Sequence, residues 1–188
     1  MNKFMKTASA LLIILGFFAS LPSFARTFVG KDLLSEKSVE VKLGPKGSVV
    51  TFLSAKCPCS NSHVEELKEL SKQHSGYTFL AVHSNSDEGR EQSVSYFKSA
   101  QLPFPVIQDT DTKIADELKA QKTPHTFVFD AKGSVVYKGG VSNSKDCQKA
   151  DRKFLREALS DLAQEKAVRT PEGRALGCAI TRGGKNAW

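Results

Sequence analysis

The chain has 188 residues, 40% of them hydrophobic and 25% charged, with 27 Lys and Arg against 20 Asp and Glu. That length suits one domain able to build its own core. The positive excess is modest and scattered, with no basic stripe interleaved with aromatics, which excludes an extended nucleic-acid-binding surface.

In chain order, the first segment reads as a leader. Met1 to Lys6 carries Lys3 and Lys6 and no acid, Leu11 to Phe18 is almost wholly apolar, and Ser23-Phe24-Ala25 ends the run with small residues at both recognition positions. This pattern predicts a signal peptide over 1–25, cleaved after Ala25. The apolar run falls short of the roughly 20 residues that a membrane span needs, so no membrane association is expected once it is removed. The mature chain would be periplasmic or secreted. A single domain is expected over 26–165, with a basic, extended tail over 166–188 that is packed on the domain or partly disordered. No internal repeat or low-complexity block is present.

Val39, Val41 and Leu43 alternate with Glu40 and Lys42, a half-buried strand, and Gly44 to Gly47 is a turn. Val49 to Leu53 is nearly all apolar, as in a strand covered on both faces. Ser60 to Gln73 reads as a helix with Val64, Leu67 and Leu70 on one side, and Thr78 to Val82 as a second buried strand. Ser84 to Glu88 is a polar loop. A helix over Gly89 to Ala100 turns Val94 and Phe97 inward, and Leu102 to Pro105 breaks it. Val106-Ile107 is a brief strand. A short helix spans Asp111 to Ala120 with Asp111 or Thr110 as its cap. Thr126 to Phe129 and Val135 to Tyr137 form a hairpin about Asp130 to Gly133, and the clearest helix covers Lys149 to Ala163. Alternating strands and helices followed by a hairpin predict an α/β fold: a mixed sheet flanked by helices on both faces.

The chemistry concentrates where a strand delivers cysteine to a helix start, Phe52 to Ser60. A helix N-terminus, its free N–H groups and the neighbouring Lys56 would all lower the pKa of Cys57, and the thiolate is the nucleophile. Cys59 is the natural resolving thiol, although a Cys-Pro-Cys ring is small and stiff. Cys57 could instead exchange with Cys178 or Cys147, since sequence does not fix connectivity. A structural bridge between Cys147 and Cys178, tying the tail to the last helix, is a further alternative. No acid stands in register to assist proton transfer.

These residues resemble the thioredoxin fold, and more narrowly the exported redoxins of the peroxiredoxin-like and TlpA-like kind. The resemblance covers Val39 to Ala163. It rests on the strand-to-Cys junction, on Lys122-Thr123-Pro124-His125 running into the Thr126 to Phe129 strand, and on Gly133 to Gly139. It implies a thioredoxin-like fold with a helical insertion between its halves, here about Ser84 to Ala120, and a cis-proline, Thr123-Pro124, facing the reactive cysteine and its substrate. Gly177-Cys178 matches a Gly-Cys near the C-terminus of an uncharacterised peroxiredoxin-like group. The spacing departs from thioredoxins: Ser60 stands where their second cysteine falls, and Cys59 is additional.

The implied activity is thiol–disulfide exchange without a cofactor. Cys57 would attack and Cys59 or Cys178 would resolve, with peroxide reduction as a variant. Expected partners are protein or small-molecule thiols and disulfides and a redox partner protein. Two alternatives remain. Copper-delivery proteins of this fold use paired cysteines and a histidine, here Cys57, Cys59 and His125, with His63 and His83 nearby; thiolate and imidazole suit Cu(I) or Zn. The opposite reading of His63 and His74 is as surface helix residues. The other alternative is a catalytically silent binding module.

Overall fold

The computed structural model describes residues 26–183. The expected leader, 1–25, lies outside them, as does the end of the tail. Strand β1 (Thr27–Asp32), which no pattern singled out, pairs antiparallel with β2 (Ser38–Lys42). Next come β3 (Gly47–Phe52), α1 (Pro58–Gln73), β4 (Tyr77–His83), α2 (Arg90–Ala100) and β5 (Val106–Gln108). They are followed by α3 (Lys113–Leu118), β6 (Lys122–Thr123), β7 (His125–Asp130), β8 (Val135–Gly139), a single 3-10 turn at Cys147–Lys149, α4 (Phe154–Ala163) and β9 (Cys178–Ala179). Among the described residues no helix is long and apolar enough to cross a membrane.

Two strand groups, β2-β1-β5-β4 and β3-β7-β8, meet along β3 and β4. Their starts are joined by Lys46 N–H donating to Gly76 O at 3.0 Å and their ends by Leu53 N–H donating to Val82 O at 3.0 Å, so the two run parallel. β4 and β5 are also parallel, whereas β1–β5, β3–β7 and β7–β8 are antiparallel. The result is the expected mixed sheet.

Alternation along the central strands supplies both faces of the sheet. Val49, Phe79, Ala81 and Val128 pack with Leu67 and Leu70 of α1, Phe97 of α2 and Leu155 and Leu159 of α4. Val50, Phe52, Leu80, Val82, Phe127 and Phe129 pack with Phe28, Val41, Ala115 of α3 and Ile180 from the tail. Each large side chain so buried contributes about 1.5–3 kcal/mol. Glu66 is buried within α1, where Lys153 Nζ and Arg156 Nε each approach it to 2.7 Å and tie α1 to α4.

Two helix ends differ from expectation. The α3 cap is neither Thr110 nor Asp111: Asp109 accepts the Ile114 N–H at 3.1 Å and the Ala115 N–H at 3.0 Å. The last helix begins at Phe154, because Asn143 and Arg152 exchange backbone and side-chain hydrogen bonds that hold residues 150–153 out of the helix and against the preceding loop.

The described tail wraps the domain. Lys138 N–H donates to Pro171 O at 3.0 Å, Gly173 N–H donates to Lys138 O at 2.9 Å, and β9 then pairs antiparallel with β6. Ile180 N–H donates to Gln121 O at 2.9 Å, and Arg182 Nη2 donates to Ala120 O at 2.7 Å. Close approach requires glycine at 177, since a Cβ there would lie 2.0 Å from Thr123 O. Gly177→Ala is therefore expected to detach β9 while leaving the sheet folded. Amide hydrogen exchange would read this as loss of protection at Ile180, and unchanged protection there would contradict it.

Candidate functional site

The site begins at the end of β3. Leu53 to Lys56 turn the chain from strand to helix, and Cys57 stands as the N-cap of α1, with Pro58 in the first turn where its missing N–H costs nothing. Ser54 Oγ accepts the Cys57 N–H at 3.1 Å, and the Asn61 N–H donates to Cys57 O at 3.1 Å. The Cys57 thiol donates to Thr123 O at 3.0 Å and is 1% exposed. Thr123 precedes Pro124 through a cis peptide bond.

The tail completes the surroundings of this sulfur. In the β6–β9 ladder Cys178 is the partner of Thr123. Burial opposes ionisation of Cys57, but donors outweigh it: the Cys178 thiol, the Thr123 hydroxyl and the N–H groups of Cys178 and Ser60 hold its pKa at about 7. The Thr123 hydroxyl is buried with no partner in the resting geometry, so it is free to turn to a thiolate. Cys178 is exposed as a residue, but partial desolvation of its sulfur, then the hydrogen bond with and the charge of Cys57, push its pKa up to about 12. Cys57 is the acid of the pair and Cys178 retains its proton. Lys56, expected to act on the thiol, reaches away instead and donates to Asp87 O at 2.6 Å.

Cys59 is 7% exposed, and burial followed by the Cys57 charge raises its pKa. Cys147 is also buried, on the α1–α4 side; its N–H donates to Ser62 Oγ at 3.3 Å and its thiol pKa is raised by burial and by Glu66. All four cysteines are unpaired thiols. The Cys147–Cys178 alternative is not brought together. β9 takes Cys178 to Thr123, while Ser62 Oγ donating to Lys145 O at 3.0 Å holds the 142–147 loop on α1.

The histidines do not gather around the sulfur. His63 is a core residue rather than a surface one, with Nδ1 2.7 Å from Cys59 O and Nε2 2.8 Å from Ser142 Oγ. His83 sits beneath the turn, Nδ1 3.3 Å from Leu53 O and Nε2 2.9 Å from Ser93 Oγ. The His125 ring packs on Phe127 at 4.6 Å, and burial with the nearby Lys138 charge brings its pKa down to about 4. Cys57, Cys59 and His125 therefore form no common ligand set, and among the described residues no group of three or more His, Cys, Asp or Glu side chains is disposed to hold a metal ion.

Sequence reasoning missed Ser54 and Glu88. The Glu88 side chain is 1% exposed and reaches the Cys57 turn: Ser54 Oγ donates to its Oε1, and Ala55 N–H donates to its Oε2 at 2.7 Å. Glu88 lies in a short polar loop between elements, and only its tertiary burial distinguishes it from Asp87. Tyr96 presents a second buried hydroxyl without a partner, in the electrostatic field of Cys57 and Glu88, and its pKa is raised to about 12 by burial and by those charges.

A mixed sheet that carries a low-pKa cysteine at a helix start, opposite a cis-proline, defines a thioredoxin-like fold built for thiol chemistry. The chain belongs to the Redoxin family, whose model matches residues 20–155. It is similar to the thiol-disulfide oxidoreductase ResA of Bacillus subtilis, 26% identical over 152 residues, covering 71% of this chain and 82% of ResA. Among solved structures it resembles a conserved protein of Geobacillus kaustophilus, with TM-score 0.76 and 23% identity, covering 86% of this chain and 91% of that one. It also resembles a secreted Mycobacterium tuberculosis disulfide oxidoreductase, with TM-score 0.51 and 20% identity, covering 57% of this chain and 79% of that one.

The geometry predicts that iodoacetamide modifies Cys57 of the reduced chain with a pH midpoint near 7. Cys178→Ala removes a donor to the thiolate and should move that midpoint upward by about one unit. Mass-spectrometric quantification of Cys57 alkylation across pH checks both, and a midpoint insensitive to Cys178 would contradict the donor role.

Proposed function

We propose that the chain is an exported thiol–disulfide oxidoreductase in which Cys57 is the nucleophile and Cys178 the resolving thiol. One observation carries this reading: the tail strand aligns Cys178 with Thr123, whose carbonyl accepts the Cys57 thiol at 3.0 Å, so that both cysteines meet at the same residue. Membership of the Redoxin family and similarity to ResA support the reaction class. The leader pattern over 1–25 supports export.

The Cys57 thiolate attacks one sulfur of a substrate disulfide. A Cys57–substrate disulfide forms and the other substrate sulfur departs as a thiolate. Cys178 then gives its proton to the departed thiolate and, as a thiolate, attacks Cys57, releasing the second substrate sulfur as a thiolate that takes a proton from water and leaving a Cys57–Cys178 disulfide. Two electrons from a dithiol partner protein restore the reduced pair. Cys59 is the less suited resolver, because it lies next to Pro58 and is buried, whereas Cys178 is exposed.

A second substrate class is favoured by two of the buried hydroxyls without partners, those of Thr123 and Tyr96, which lie toward Cys57. They leave hydrogen-bond capacity near Cys57 for an oxygen-bearing substrate. With a peroxide, the thiolate would take the terminal oxygen to give a sulfenic acid and release water or an alcohol. Cys178 would then condense with the sulfenic acid, losing water and giving the same disulfide.

Turnover of a model disulfide with a dithiol reductant tests the assignment. Cys57→Ser should abolish it. Cys178→Ser should slow it at least about tenfold and accumulate a substrate adduct on Cys57, because resolution then lacks its aligned thiol. Cys59→Ser should retain most of the rate. Adduct accumulation in Cys59→Ser but not in Cys178→Ser would reverse the assignment.

A further inference from the structure

One buried acid has no task in this scheme. Glu88 stands at the end of the loop after β4, its carboxylate enclosed under the turn that leads into Cys57. We propose that Glu88 is a positioning residue for Cys57: its carboxylate fixes the Ser54 hydroxyl as the acceptor of the Cys57 N–H, and so sets the turn that presents the sulfur to Thr123 and Cys178. The inference rests on Cys57 being the nucleophile.

Proton counting at Ser54 fixes the direction of these bonds. A serine hydroxyl has one proton and two lone pairs. In this site the proton is committed to Glu88 Oε1, so the lone pairs are what remain for the Cys57 N–H, 3.1 Å away. The other carboxylate oxygen takes the Ala55 N–H, so two consecutive residues of the turn are gripped by one rigid group through charge-assisted bonds. The Ser54 N–H donates to Ser60 Oγ at 3.2 Å and joins the turn to the first turn of α1.

The loop that carries Glu88 also holds the other thiol. Ser86 N–H donates to Thr181 O at 3.1 Å, Asn85 Nδ2 donates to Ala179 O at 3.3 Å, and the Thr181 hydroxyl donates to Asp87. Residues 85–88 thus touch the Cys57 turn on one side and the Cys178 strand on the other. The titratable and charged groups that face Glu88 are His83, whose Nε2 is 3.8 Å from Oε2, with Asp87 and Lys56 at the rim and Tyr96, Cys57 and Cys178 across the site. A carboxylate here opposes a thiolate at Cys57 while holding its turn, so charge and geometry act with opposite signs and separate variants can distinguish them.

The experiment uses the full mature chain and two readouts, the pH midpoint of Cys57 alkylation and the rate at which the Cys57–Cys178 disulfide closes after one equivalent of oxidant. E88Q keeps a hydrogen-bonding group and removes the charge, so the midpoint should fall by about half a unit or more. E88A releases the turn and should slow closure about tenfold, with E88Q recovering most of that rate. Both variants matching the wild type in midpoint and closure would overturn the Glu88 assignment alone. A wild type that forms no Cys57–Cys178 disulfide would overturn the functional reading beneath it. Should E88A fail to fold, E88D, which keeps the charge and draws the carboxylate back from the turn, takes its place, and closure at the wild-type rate overturns the proposal.

Discussion

The site depends on the two-residue ladder between β6 and β9. Burying a thiol in a protein interior raises its pKa, because the charged form loses water. Cys57 is almost wholly buried and yet acidic, and the contacts that reverse the penalty are led by the tail: the Cys178 thiol, then the Thr123 hydroxyl, the Cys178 N–H and Ser60 at the start of α1. Without β9, Cys57 would keep its place at the helix start and lose the largest share of its donors.

The same ladder covers the sulfur. Thr123 lies between Cys57 and Cys178: its carbonyl accepts from the first and its strand pairs with the second. Glycine at 177 lets the tail pass within contact of Thr123 O, and Ile180 anchors the strand by filling the core beneath β3, β4 and β7. One short segment therefore supplies a donor, a candidate partner thiol and a lid. The cysteines of α1 depart from the usual two-residue spacing, and the cysteine that the fold sets opposite Thr123 is Cys178 of the tail.

What the sequence makes legible is what local pattern determines. The fully buried β3 follows from its run of β-branched and aromatic residues, and the inward stripe of α1 from Val64, Leu67 and Leu70 at helical spacing. Thr123-Pro124 was readable through family resemblance and the strand that follows it. β1 was not legible, because Thr27 to Asp32 carries one strongly buried apolar residue, Phe28, and a mixture of glycine and charge; its pairing is decided by β2 and β5. β9 is two exposed residues whose strand character exists only in the ladder with β6. Glu88 looks like any acid of a surface loop, and its burial arises because the Cys57 turn brings a hydroxyl and an N–H to it. Sequence leaves several thiols open as partners of Cys57, and only the register of the tail sets Cys178 opposite Thr123.

The account stands or falls on the partner of Cys57. The most direct measurement is disulfide mapping by proteolysis and mass spectrometry of the chain purified from its own compartment, with thiols blocked at lysis. The account predicts a peptide pair joined through Cys57 and Cys178, with Cys59 and Cys147 recovered as free thiols. A Cys57–Cys59 linkage, with Cys178 free or bound elsewhere, would contradict it.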